Sequence, residues 1–214
     1  MCSIIGSTSV ERIKELAELN AYRGQHSYSI AVFELYAGYI QYLHRGMGEL
    51  DYSLLKDLPP GYIVVHQQAP TTDNKDIDSV HPAQLGKHLL WHNGIIKAEQ
   101  IKKLQSELES TISWDTKLLL LSLAIYDVEG ANNIDGTFSC VWHDGTNLIL
   151  FRNEISPMFI DSSWTISSTK FEGSQEVPPN IMWLLEPLNP ILLESSIGHF
   201  NTVENPYFFM DEQQ

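Results

Sequence analysis

The chain has 214 residues, 43% of them hydrophobic and 19% charged, enough to bury one substantial core, so a single domain over 1–214 is expected. Thirteen Lys and Arg against 27 Asp and Glu leave a formal charge of -14, which repels phosphate backbones and anionic headgroups and argues against nucleic-acid and membrane partners. No apolar run approaches the ~20 residues that span a bilayer, and no basic stretch leads into a long apolar one at the start, so a cytoplasmic location is expected.

The opening "MCSIIG" is a short apolar run with cysteine at position two. In "STSVERIKELAELNAYRG", Thr8 and Glu11 have capping-box spacing, and Val10, Ile13, Leu16 and Ala17 recur at helical period, predicting a helix that ends before Gly24. "SYSIAVFELYAGYIQYLH" is rich in β-branched and aromatic residues and broken at Ala37-Gly38, the pattern of a hairpin. "GYIVVHQQ" and "KHLLWHNG" predict two strands separated by a polar loop. "KAEQIKKLQSELES" predicts a surface helix with Ile101, Leu104 and Leu108 inward, and "WDTKLLLLSLAIYDVEG" a broadly apolar helix capped at Asp115. "GTFSCVWHDGTNLILFRN" predicts a hairpin turning at Asp144-Gly145, with Phe138, Cys140 and Trp142 on one face. The four-proline tail "EVPPNIMWLLEPLNPILLESSIGHF" has no clear periodicity. Hairpins flanked by separate helices predict an α+β fold.

Only Cys2 and Cys140 occur, which makes no disulfide framework. Cys140 fits a buried small hydrophobe, but Cys2 asks for chemistry. Removal of Met1 would give Cys2 a free α-amine of pKa ~7.7–8.0, a base for its own thiol. Attack on an amide also needs donors where the oxyanion develops, and "WHNGII" supplies Asn93 and the Gly94 N–H. Asn-Gly by itself is equally a turn signal.

Six segments then fall in the order of one family. "MCSIIG", "AYRGQHSYSIAVF", "VHQQAPT", "HPAQLGKHLLWHNGII", "WDTKLLLLSL" and "GTFSCVWHDGTNLILFRNEISPMFI" resemble the class II glutamine amidotransferases, which are N-terminal-nucleophile hydrolases. The likeness is greatest to the glutaminase domain of glucosamine-fructose-6-phosphate aminotransferase. It runs over about residues 2–170, leaving about 171–214 as a C-terminal extension. The resemblance implies a four-layer αββα sandwich and hydrolysis of the glutamine side-chain amide, with no cofactor. Cys2 would be the nucleophile, Asn93 and Gly94 the oxyanion donors, and Asp115 the acceptor of the α-ammonium. Gln68, His66 and Arg23 would lie at the substrate, although Arg23 also reads as an arginine pairing with nearby carbonyls. Ammonia would pass to a partner protein in trans.

The match departs from the family at the substrate. Gln68 stands where the family places an arginine on the α-carboxylate, Ala69 replaces a tryptophan, Thr72 a histidine and His26 an aspartate. A neutral contact in place of a charged pair costs ~1.5–3 kcal/mol, leaving Arg45 or a lysine as a substitute clamp. Two other readings follow: an idle amino-acid-binding or regulatory subunit, and a hydrolase of a different amide. His66, His81, His88 and His92 invite a metal-site reading, but no close acidic or cysteine partner completes a tetrahedral set, and His81-Pro82 and His92 fit the amidotransferase pattern instead.

Overall fold

Side chains alternate across a strand, and here that alternation sorts the apolar residues into three cores and therefore four layers. The structure, a computed structural model, describes residues 2–36, 38–69, 76–189 and 195–203. In chain order its elements are β1 (Ser3–Ser7), α1 (Val10–Asn20), β2 (Ser27–Phe33), β3 (Ile40–Met47), β4 (Tyr62–Gln68), β5 (Ala83–Leu85), β6 (His88–Ile96), α2 (Ala98–Glu107) and α3 (Asp115–Tyr126). There follow β7 (Gly136–His143), β8 (Leu148–Arg152), β9 (Phe159–Ile160), β10 (Ile166–Ser167), β11 (Gln175–Glu176), β12 (Ile181–Leu184) and β13 (Ser196–His199).

One antiparallel sheet runs β11-β9-β10-β1-β4-β2-β3 and the other β13-β12-β8-β7-β6-β5. Between them pack Ile4, Ala31, Phe33 and Val64 from the first sheet and Leu89, Trp91, Val141 and Leu150 from the second. The alternate residues Ile5, Ile30, Val32, Ile63 and Val65 meet Ile13, Leu16 and Ala17 of α1. On the far side Leu90, Cys140, Trp142 and Phe151 meet Leu118, Leu119 and Leu123 of α3, with α2 beside it. The fold is the expected α+β sandwich, helix, sheet, sheet, helix. A polar bond crosses the middle of this core: Trp91 Nε1 donates to Ser29 Oγ at 3.1 Å.

Several local expectations need correction. Ser9, not Thr8, caps α1, its hydroxyl accepting from the Arg12 N–H. Asp115 is the first residue of α3 rather than its cap, and its carboxylate accepts from Thr116 and Ile96 N–H. Asn93-Gly94 is no turn: both lie inside β6, opposite Ser139 and Phe138 of β7. Phe138, Cys140 and Trp142 do share a buried face. The tail has strands after all, β12 pairing with β8 and β13 with β12 at the edge of the second sheet. Thr72 lies outside the described residues.

Candidate active site

The even positions of β1 and β4 and the odd positions of β2 and β6 face the space between the sheets. Continuing that alternation puts Cys2, Gln68 and Asn93 on the inward face. Ser3 pairs with Gln67 and Ser27 with Gln68, so Cys2 stands beside the end of β4. There the sheets part around a cavity of about 690 Å³ lined in part by Cys2, Gln68, His81, His92, Gly94 and Asp115.

Cys2 is buried, and its thiol approaches the Ala69 carbonyl oxygen at 3.5 Å. Burial is the main cause of a raised thiol pKa, with Asp115 adding to it, while the Ala69 contact and the Arg23 charge pull the other way. Burial thus disfavours the thiolate, and any attack requires that the thiol lose its proton. Arg23 sits behind it, Nε donating to the Cys2 carbonyl at 2.9 Å, which fixes the backbone of the first strand. Asn93 is buried, and its amide donates to Ser168 Oγ at 3.4 Å. Ser168 is in turn tied to β1, accepting from the Ile4 N–H at 3.0 Å. Asn93 is not among the residues lining the cavity, whereas Gly94 is. A Cβ at Gly94 would collide with the Thr137 carbonyl oxygen and stand 2.7 Å from His92 Nε2, so the close approach of β6 to β7 requires glycine there.

Asp115 opens α3 at the other wall. Its Oδ1 accepts from the Thr116 N–H at 2.7 Å and its Oδ2 from the Ile96 N–H at 3.3 Å, which aims the carboxylate at the cavity. Beneath lies a polar chain. Gln68 Nε2 donates to the Ser79 carbonyl at 3.3 Å, and Gln68 Oε1 accepts from Ser27 Oγ at 3.3 Å and lies 3.2 Å from His81 Nδ1. His81 Nε2 and His92 Nδ1 both reach Thr116 Oγ1 at 3.1 Å, and His92 Nε2 lies 3.3 Å from the Thr137 carbonyl. Burial holds His81 well below the usual histidine range. His66 does not line the cavity: it is fully buried under His81, ring centroids 4.3 Å apart, and burial pushes its pKa down to about 3.

Sequence reading brought Cys2, Gln68, Gly94 and Asp115 to one cavity but missed Thr116 and Ser168. Small hydroxyl residues leave no periodic trace, and only the pairing of distant elements shows what they hold. Arg45 offers no clamp here, since its Nε and Nη2 donate to the Val80 and Pro82 carbonyls. Among the described residues no group of three or more His, Cys, Asp and Glu is placed to hold a metal ion, and no helix is long and apolar enough to cross a membrane.

No family model matches the sequence. No curated protein matches it either. Solved structures do. A glutamine phosphoribosylpyrophosphate amidotransferase from B. subtilis, complexed with ADP and GMP, superposes with a TM-score of 0.64 at 18% identity, over 86% of this chain and 47% of that one. A structure described as the allosteric regulatory enzyme of purine biosynthesis gives 0.58 at 15% identity, over 86% and 46%. The chain spans about half the length of these two structures. At these identities the likeness is one of fold: the two-sheet sandwich of this chain is shared with that amidotransferase and with that regulatory enzyme.

Proposed function

We propose that the chain is a glutamine-amidotransferase-type, N-terminal cysteine hydrolase that cleaves the side-chain amide of glutamine or a close analogue. The observation that carries this reading is the convergence of Cys2, Gly94 and Asp115 on one cavity, with Asn93 held beside it through Ser168. In the proposed reaction Met1 has been removed. The free α-amine of Cys2 takes the thiol proton as sulfur bonds to the amide carbon, and the carbonyl oxygen becomes an oxyanion facing the Asn93 amide and the Gly94 N–H. The carbon–nitrogen bond then breaks, and the leaving nitrogen takes the proton and departs as ammonia. Water adds to the thioester, the amine again serving as base, and releases the acid and the thiol. Asp115 receives the ammonium of the substrate.

The shared fold supports the reading, as do the six ordered motifs, which also carry the finer likeness to the glutaminase domain of glucosamine-fructose-6-phosphate aminotransferase. We further propose that the ammonia serves an acceptor enzyme in trans. The amino-acid-binding, regulatory alternative rests on Gln68, which brings no charge where a carboxylate clamp is expected.

The test is intact mass before and after 6-diazo-5-oxo-L-norleucine, a glutamine-like alkylator, beside ammonia release from primary amides. Loss of Met1, an adduct on Cys2 and turnover abolished in Cys2→Ala are the expected results. Retained Met1 with undiminished turnover excludes the α-amine as base. No Cys2-dependent ammonia from any amide favours the binding subunit.

A further inference from the structure

The charged residues described around the cavity are all acidic. Asp76, Asp78 and Asp115 line it, and no lysine or arginine does so among the described residues. Free glutamine is a zwitterion. Asp115 suits its ammonium, but its α-carboxylate would enter a space holding two further carboxylates and no described cation, at a Coulombic cost that a partly desolvated cavity enlarges. Gln68 does not repair this. It is neutral, and its amide is already engaged by Ser27, Ser79 and His81. Arg45 lies near enough to Asp78 for their charges to interact, yet two of its nitrogens are committed to the Val80 and Pro82 carbonyls.

The cavity is also roomy. Its volume of about 690 Å³ lies within the ~300–1,000 Å³ typical of sites for drug-sized ligands, well beyond a single amino acid. Ile95, Ile101 and Trp114 make part of its wall apolar, which leaves a place for an uncharged group beyond the amine.

We propose that the preferred substrate is a primary amide that carries an ammonium group and has its α-carboxyl blocked as an amide, as in glutamine at the amino end of a peptide. This rests on the reading of Cys2 as an amide-cleaving nucleophile. The reaction balances as before: water adds, the side-chain amide becomes a carboxylate, and its nitrogen leaves as ammonium. The blocked α-carboxyl is untouched. Its carbonyl presents a neutral acceptor to the Gln68 side, where a carboxylate would meet Asp76 and Asp78.

The experiment compares L-glutamine with L-glutamine α-N-methylamide, which has one primary amide, following the acid product by mass spectrometry and subtracting the Cys2→Ala background. We expect kcat/KM for the N-methylamide to exceed that for glutamine by about tenfold or more, the scale set by one charge-assisted contact. The double variant D76N/D78N is expected to shrink that ratio. Equal or better use of glutamine by the unaltered protein overturns the inference and leaves the Cys2 reading standing. So does an unchanged ratio in the folded double variant. Lys75 lies outside the described residues, so K75A is tested as well: a selective loss of glutamine turnover would identify a carboxylate clamp and overturn the proposal. Absence of Cys2-dependent product from both amides removes the Cys2 reading and the inference with it.

Discussion

The role proposed for Asn93 rests on a single side-chain amide. If its Nδ2 meets the oxyanion, Asn93→Ala should lower kcat by ~100- to 1,000-fold, equivalent to ~2.7–4 kcal/mol, with KM little changed. Steady-state kinetics decide this, and a rise in KM at constant kcat would place Asn93 in ground-state binding instead. His66 answers a different question, about acid. Its folded pKa of about 3 lies below the ordinary value of 6.5, so the unfolded chain takes the proton more readily. The stability tied to keeping it neutral is fully present above pH 6.5 and is lost as pH falls toward 3, at a limiting slope of ~1.4 kcal/mol per pH unit. Urea unfolding between pH 7 and 5 should show that slope, steepened by His81, and His66→Leu should reduce it. Equal slopes in the two proteins would mean that His66 is not kept neutral in the fold. Cys2 as a candidate nucleophile was legible because position two and the ordered motifs mark it. Thr116 and Ser168 were not, because their roles arise only where β6, α3 and β10 meet.

At the scale of elements, β6 is the strand on which structure and chemistry coincide. Gly94→Ala would drive a methyl group into the Thr137 carbonyl and toward His92, pushing β6 off β7. We expect a loss of ~1–3 kcal/mol in stability together with reduced turnover, because the displaced N–H is a proposed oxyanion donor. Thermal unfolding beside kinetics checks it, and an intact Tm with intact turnover would sink the argument. The same strand shows how local signals mislead. Asn-Gly reads as a turn, yet its neighbours continue the ladder, and cross-strand pairing with β7 outweighs the local preference. The hairpins were legible because their alternation separates two differently packed faces. β12 and β13 were not, since prolines and a register shift between Met182 and Trp183 break the pattern that sheet pairing then restores.

For the whole molecule, the inter-sheet core sets the spacing on which the cavity depends. Trp91 is fully buried there, edge-on to Phe33 and bonded to Ser29 of the opposite sheet. Trp91→Ala should cost ~3–5 kcal/mol, and Trp91→Phe less, by retaining most of the volume while leaving the Ser29 hydroxyl without its donor. Chemical denaturation ranks the two, and an alanine variant as stable as the parent would contradict a packed interface. The α+β class was foreseeable from hairpins and helices and the four layers from the family resemblance; the acidic lining was not, because Asp76, Asp78 and Asp115 meet only after folding. Finally, β1 lies in the middle of its sheet, with β4 on one side and β10 on the other. Although β1 precedes β10 by some 160 residues, it is therefore seated on both sides only after residues 166–167 have been made. At ~5–20 residues per second of translation, β1 trails unpaired on at least one side for on the order of ten seconds. Under the proposed chemistry, that interval is the one in which an aminopeptidase would reach Met1 before the closing sheet buries Cys2, so the speed of translation would set how much protein is competent for attack.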